Sequence, residues 1–89
     1  MSMRFVYDRH ALEDLALLSR KVADHIITKI AWYASQSNPL RFAKKLNPPF
    51  EDLYRFRIGE YRAIFEIRNK KEIKLLLILR IKHRRDAYE

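Results

Sequence analysis

The chain has 89 residues, 48 % of them apolar, and a formal net charge of +8 with a pI near 10.1. That length supports one small domain over residues 1–89 with a single core, and the apolar fraction excludes a disordered chain. The absence of cysteine excludes disulfides, thiolate nucleophiles and cysteine zinc sites together, and fits a reducing, cytoplasmic setting.

The longest apolar run, Leu75 to Leu79, is far too short for a bilayer span of about 18 residues, and the start M-S-M-R-F-V-Y-D has no long apolar h-region, so no membrane association is expected. Residues 1–39 hold five Lys/Arg against four Asp/Glu, whereas residues 40–89 hold fourteen against seven. The second half therefore carries the binding charge, of the sign that suits nucleic acid or an acidic protein. The first half reads as scaffold.

In chain order, Met3 to Tyr7 reads as a short strand. Asp8 is placed to cap a helix whose apolar positions are Leu12, Leu15, Ala16 and Leu18, and Ser19 is placed to cap a second. Val22, Ile26, Ile30 and Tyr33, flanked by Ala23, Ile27 and Ala34, describe a longer amphipathic helix ending near Ser37. So short a connection predicts an antiparallel helical hairpin. His10 and His25 have no second ligand at metal-site spacing and read as surface residues, while Trp32 and Tyr33 read as core. Asn38-Pro39 stops the long helix and starts a short helical segment with Leu40, Phe42, Ala43 and Leu46 inward and Arg41, Lys44 and Lys45 outward. Asn47-Pro48-Pro49 closes it.

From Leu53 to Ile67 the sequence L-Y-R-F-R-I-G-E-Y-R-A-I-F-E-I alternates with period two on either side of Gly59-Glu60, which predicts a tight β-hairpin with positive φ at the glycine. Pairing Ile58 with Tyr61 sets Phe56 opposite Ala63 and Tyr54 opposite Phe65 on one face. Arg57 then faces Arg62 on the other, with Arg55 one step along. Like charges directly opposed cost up to about 1 kcal/mol. Either a polyanion compensates, or the basic residues simply guard the strands against aggregation.

Arg68 to Glu72 reads as turn material, and Ile73 to Ile81 as a third strand. If Ile67 meets Ile73, then Leu75, Leu77, Leu79 and Ile81 join the apolar face, and Arg80 and Lys82 join the arginines together with Leu76 and Ile78. A strand apolar on both sides belongs inside the sheet. The expected class is α+β: an N-terminal strand, a helical hairpin and a three-stranded antiparallel meander, giving one mixed or antiparallel four-stranded sheet.

The chain ends I-K-H-R-R-D-A-Y, from Ile81 to Tyr88. With the block Y-R-F-R-I-G-E-Y-R, this ending resembles the RelE branch of the RelE/ParE toxin superfamily, over essentially the whole chain. The resemblance implies the toxin of a type II toxin–antitoxin pair that enters the A site of the 70S ribosome and cuts mRNA there without metal or other cofactor. Its positively charged catalytic positions match Arg55, Arg57, Arg62 and Lys82, its C-terminal aromatic matches Tyr88, and His83 and Arg84 fit its end motif. Some members carry lysine where this chain has Arg55 and Arg57. It also implies a heterocomplex with an acidic, RelB-like antitoxin, for which the mixed surface of Leu76, Ile78, Arg80 and Lys82 is the expected docking place.

Cleavage by the RNA's own 2′-hydroxyl needs a base, cationic stabilisation of the phosphorane and an acid for the 5′-oxygen. Arginine, with a pKa above about 12, can supply only the second. Arg55, Arg57 and Arg62 are accordingly assigned to the phosphate, and the proton carriers are sought among Lys82, His83 and Tyr88. Arg80, Arg84, Arg85, Lys44 and Lys45 extend the basic surface as RNA-binding candidates. A ParE-like inhibitor of DNA gyrase without nuclease activity is the alternative in the same fold. A non-catalytic RNA-binding module is a third, weakened because the aromatics of the hairpin alternate inward.

Overall fold

A computed structural model describes residues 3–87. A strand β1 (Arg4–Tyr7) leads into helices α1 (Arg9–Ala16) and α2 (Arg20–Ser35), a 3-10 turn (Pro39–Phe42), and strands β2 (Ala43–Lys45), β3 (Tyr54–Ile58), β4 (Tyr61–Lys70) and β5 (Ile73–His83). A second 3-10 turn, Arg84–Asp86, follows. The five strands form one mixed sheet in the order β1-β5-β4-β3-β2, with β1 parallel to β5 and the other pairs antiparallel. The class is the α+β expected, with five strands in place of four.

Both helices start where the sequence places their caps. The Asp8 carboxylate accepts the His10 N–H at 2.9 Å, and the Ser19 hydroxyl accepts the Val22 N–H at 3.3 Å. These bonds satisfy amides that the first helical turn leaves open. Ala11 and Leu15 of α1 and Ile26, Ile30, Tyr33 and Ala34 of α2 close over Phe56, Ile58, Ala63, Phe65, Leu76, Ile78 and Ile81 of the sheet. At its centre Tyr33 stacks on Phe56 at 4.5 Å and Phe56 on Phe65 at 4.4 Å. The Tyr33 hydroxyl donates to the Arg57 carbonyl at 3.0 Å, tying α2 to the strand that carries two of the arginines.

The hairpin is in the expected register, with Ile58 opposite Tyr61, Phe56 opposite Ala63 and Arg57 opposite Arg62. Gly59 has φ 58°. Elsewhere the structure corrects the reading. Ala43–Lys45 is an edge strand rather than the end of a helical segment, because Ala43 packs inward opposite Phe56 and β3 would otherwise be bare. Its lysines blunt that edge.

Strands β4 and β5 run on to Lys70 and Ile73, closed by Lys71-Glu72 with Lys71 at φ 57°, so Ile67 faces Leu76 and not Ile73. A register shift between Ile64 and Phe65 leaves Leu79 as an extra residue in β5. Leu76 and Ile78 therefore lie fully buried under the helices, not among the arginines, while Leu75 and Leu77 take the other face. A run of five apolar residues carries no alternation to fix its phase, and a one-residue slip exchanges the faces. Trp32 is 44 % exposed rather than core. It neighbours Tyr33 on a helix and only one of the two can face the sheet; Trp32 instead meets the half-exposed Phe42 edge-on at 5.3 Å, with the Lys29 ammonium 4.4 Å from its ring.

Candidate functional site

The face of the sheet turned away from the helices carries two cross-strand rows. Arg57, Arg62 and Lys82 occupy one, on β3, β4 and β5. Lys44, Arg55, Ile64 and Arg80 occupy the next, across β2 to β5. Side chains two apart on a strand share a face, so six cations surround Ile64, which is completely buried although it lies outside the core under the helices. The sequence signals that apolar floor where Ala63-Ile64-Phe65 breaks the alternation of β4.

Within the first row Arg62 is only 6 % exposed. A buried guanidinium requires hydrogen-bond acceptors, and its Nη1 donates to the carbonyls of Gly59 at 3.1 Å and Tyr61 at 2.9 Å. The tight turn thus holds Arg62 in place between Arg57 and Lys82. Opposed like charges cost up to about 1 kcal/mol per pair, so this row is a concentration of positive potential that packing alone does not favour.

Among the described residues the Asp14 carboxylate meets this surface at Arg80. Asp14, on α1, accepts Nε of Arg80 at 2.8 Å, Nη2 of Arg80 at 2.9 Å and the backbone N–H of Ile81 at 2.8 Å. Burial opposes its ionisation, but the Arg80 and Ile81 hydrogen bonds and the charges of Arg80 and Lys82 outweigh that and leave its pKa below the ordinary carboxylate range. Asp14 was not among the residues expected here. Its signal is positional: with Ala11, Leu15 and Leu18 it falls on the inward stripe of α1, where a carboxylate needs a partner.

The other candidates are placed apart from the rows. His83 follows Lys82 on β5 and so takes the opposite face, opposite Tyr61 and edge-on to its ring at 5.4 Å. Its Nδ1 accepts the Arg85 N–H at 3.3 Å, capping the last turn. Arg84 is turned to the hairpin tip, its Nε 2.8 Å from Glu60 and its N–H donating to the Glu60 carbonyl at 2.7 Å. Arg85 and Lys45 are exposed, with Lys45 opposite Tyr54, whereas Lys44, also exposed, is the outermost member of the second row. Tyr88 lies outside the described residues. The recess beside Arg55, lined by Lys44, Lys45, Leu46 and Asn47, measures only about 20 Å³, too small to enclose a small-molecule ligand.

Residues 5–88 match the family described as ParE toxin of type II toxin-antitoxin system, parDE. Among solved structures the chain is similar to the toxin–antitoxin complex RelBE2 from Mycobacterium tuberculosis, at 25 % identity and a TM-score of 0.77, covering 94 % of this chain and 100 % of that one. It is similar to the archaeal RelE-RelB complex from Pyrococcus horikoshii at 26 % identity and a TM-score of 0.70, over 98 % and 100 % of the two chains. The YoeB/ParE toxin from Agrobacterium tumefaciens shares the fold at 16 % identity and a TM-score of 0.66, over 91 % and 98 %. No curated protein sequence matches the chain significantly. Among the described residues no helix is long and apolar enough to cross a membrane.

Proposed function

The chain belongs to the ParE toxin family of type II toxin–antitoxin systems, within the RelE/ParE superfamily, and from the cationic site we propose a specific activity that this membership does not itself assign: ribosome-dependent cleavage of mRNA in the A site. The observation that carries this reading is the row Arg57–Arg62–Lys82 with Arg55 beside it. Attack of the 2′-oxygen on the adjacent phosphorus forms a 2′,3′-cyclic phosphate and breaks the bond to the 5′-oxygen. The arginines meet the charge that gathers on the phosphorane oxygens, held beforehand by the hairpin. One proton leaves the 2′-hydroxyl and another reaches the departing 5′-oxygen. Lys82 is the carrier in the row, and Tyr88 the second candidate. The position of His83 supports a capping role instead, and no step uses a cofactor.

An acidic antitoxin belongs to the same proposal, since two of the similar structures are toxin–antitoxin complexes. Its apolar contacts fall on Val6, Leu75 and Leu77, of which Val6 is 45 % exposed. The rival reading, inhibition of DNA gyrase without RNA chemistry, is favoured by the family match itself. The ending H-R-R-D-A-Y and the four clustered cations support the nuclease. Translation in a purified system with mapping of mRNA ends, beside a gyrase supercoiling assay, tests the pair. Cuts at A-site codons that vanish in Arg62→Ala support the nuclease; inhibited supercoiling with intact message supports the rival.

A further inference from the structure

The outer neighbour of β5 changes partway along the strand. From Leu75 to Ile78 it is β1, ending with Tyr7 opposite Ile78, and the Asp8 N–H donates to the Ile78 carbonyl at 2.8 Å. Past that point α1 lies along β5 in place of a strand. The Ile81 N–H is met there by the Asp14 carboxylate, which also grips Arg80 at two nitrogens. The segment so anchored begins immediately after the extra residue Leu79, where the pairing of β5 with β4 has just changed phase. Bulges loosen a ladder locally and re-aim the side chains beyond them. Lys82 is the second residue beyond Arg80, and its position opposite Arg62 depends on that re-aiming being fixed.

We propose that Asp14 is a positioning residue of the cleavage site: by capping the Ile81 N–H and holding the Arg80 guanidinium on the α1 side, it fixes the post-bulge segment of β5 so that Lys82 stands opposite Arg62. The role rests on the nuclease reading and makes Arg80 part of the support rather than a phosphate ligand. Asp14→Asn matches the carboxylate in size, but its neutral amide oxygen accepts the Ile81 N–H more weakly and cannot take the forked charge pair. Glu restores the charge one methylene away.

The test is single-turnover cleavage of message on programmed ribosomes by the full chain, comparing wild type, Asp14→Asn and Asp14→Glu, with exchange of the Ile81 amide followed by NMR. Asp14→Asn is expected to lower the saturating rate about tenfold, within the ~10²-fold that an ångström of misplacement costs, with the half-saturating ribosome concentration changed less than about twofold. Asp14→Glu recovers part of the rate, and Ile81 exchange in Asp14→Asn rises while the Phe56 and Phe65 amides keep their protection. A folded Asp14→Asn with the wild-type rate overturns the role. So does a loss that Asp14→Glu does not relieve and that is shared by core amides. A wild-type protein that cuts no message overturns the nuclease reading and the positioning role with it, whereas an active wild type with unaffected Asp14→Asn overturns the positioning role alone.

Discussion

Lys82 stands directly opposite Arg62 across β4 and β5, and it does so because Leu79 is an extra residue in β5. Continued without that bulge, the register that sets Phe65 opposite Ile78 would bring Ile81 to Arg62 and turn Lys82 toward the helices. The cationic row is thus a product of an irregularity in the sheet.

Because β5 alternates, Lys82 and His83 face opposite ways, and their substitution separates chemistry from capping. Lys82→Ala is expected to reduce single-turnover cleavage by about 10²-fold or more. His83→Gln, which keeps an acceptor for the Arg85 N–H, is expected to lose less than about tenfold in the same assay.

The hairpin tip is a second point of control. A Cβ added at Gly59 meets nothing within 4 Å, so the cost of Gly59→Ala is that of φ 58° alone. That cost is about 1–2 kcal/mol, measurable by urea unfolding. Gly59→Asn is expected to cost less, since asparagine tolerates the left-handed region.

Asp14 couples the site to acid. Its pKa is lowered from an ordinary value of 3.8, so the stabilisation it supplies is fully present above that value and is lost as pH falls through the lower folded-state pKa. Wild type should exceed Asp14→Asn in unfolding free energy by about 1–2 kcal/mol at neutral pH. Unfolding curves at pH 7, 5 and 3 should show that difference constant down to about pH 5 and closing below 3.8.

Tyr7 behaves in the opposite sense. Burial pushes its hydroxyl up to about 12, and that oxygen has no hydrogen-bond partner among the described residues. The unfolded chain ionises near 10 while the folded chain does not, so stability falls as pH rises between those values. Tyr7→Phe should remove the Tyr7 share of that alkaline fall and leave neutral stability unchanged or higher by up to about 1 kcal/mol. Thermal melts at pH 8 and 11 measure both effects.

The hairpin was legible because glycine and strict alternation fix phase together, and with it came Arg55, Arg57 and Arg62 on one face. The caps at Asp8 and Ser19 were legible for the same local reason. Beyond Arg68 the signal failed, since five consecutive apolar residues in β5 do not say which of them look inward, and the bulge at Leu79 has no local mark. Ala43–Lys45 is too short to declare itself a strand until β3 is there to pair with it. Asp14 could be singled out only as a carboxylate on an apolar stripe; its partners lie 66 and 67 residues away.

The central claim is that Arg57 and Arg62 meet the charge developing on a scissile phosphodiester while Lys82, in the same row, carries a proton. The most direct measurement is the single-turnover rate of message cleavage on programmed ribosomes for wild type and for Arg57→Ala, Arg62→Ala and Lys82→Ala, each confirmed folded. The account predicts A-site cuts by wild type and a fall of about 10²-fold or more for Arg62→Ala and Lys82→Ala, with a smaller fall for the exposed Arg57. Intact message with wild type, or cutting that persists unchanged in Arg62→Ala and Lys82→Ala, would contradict it.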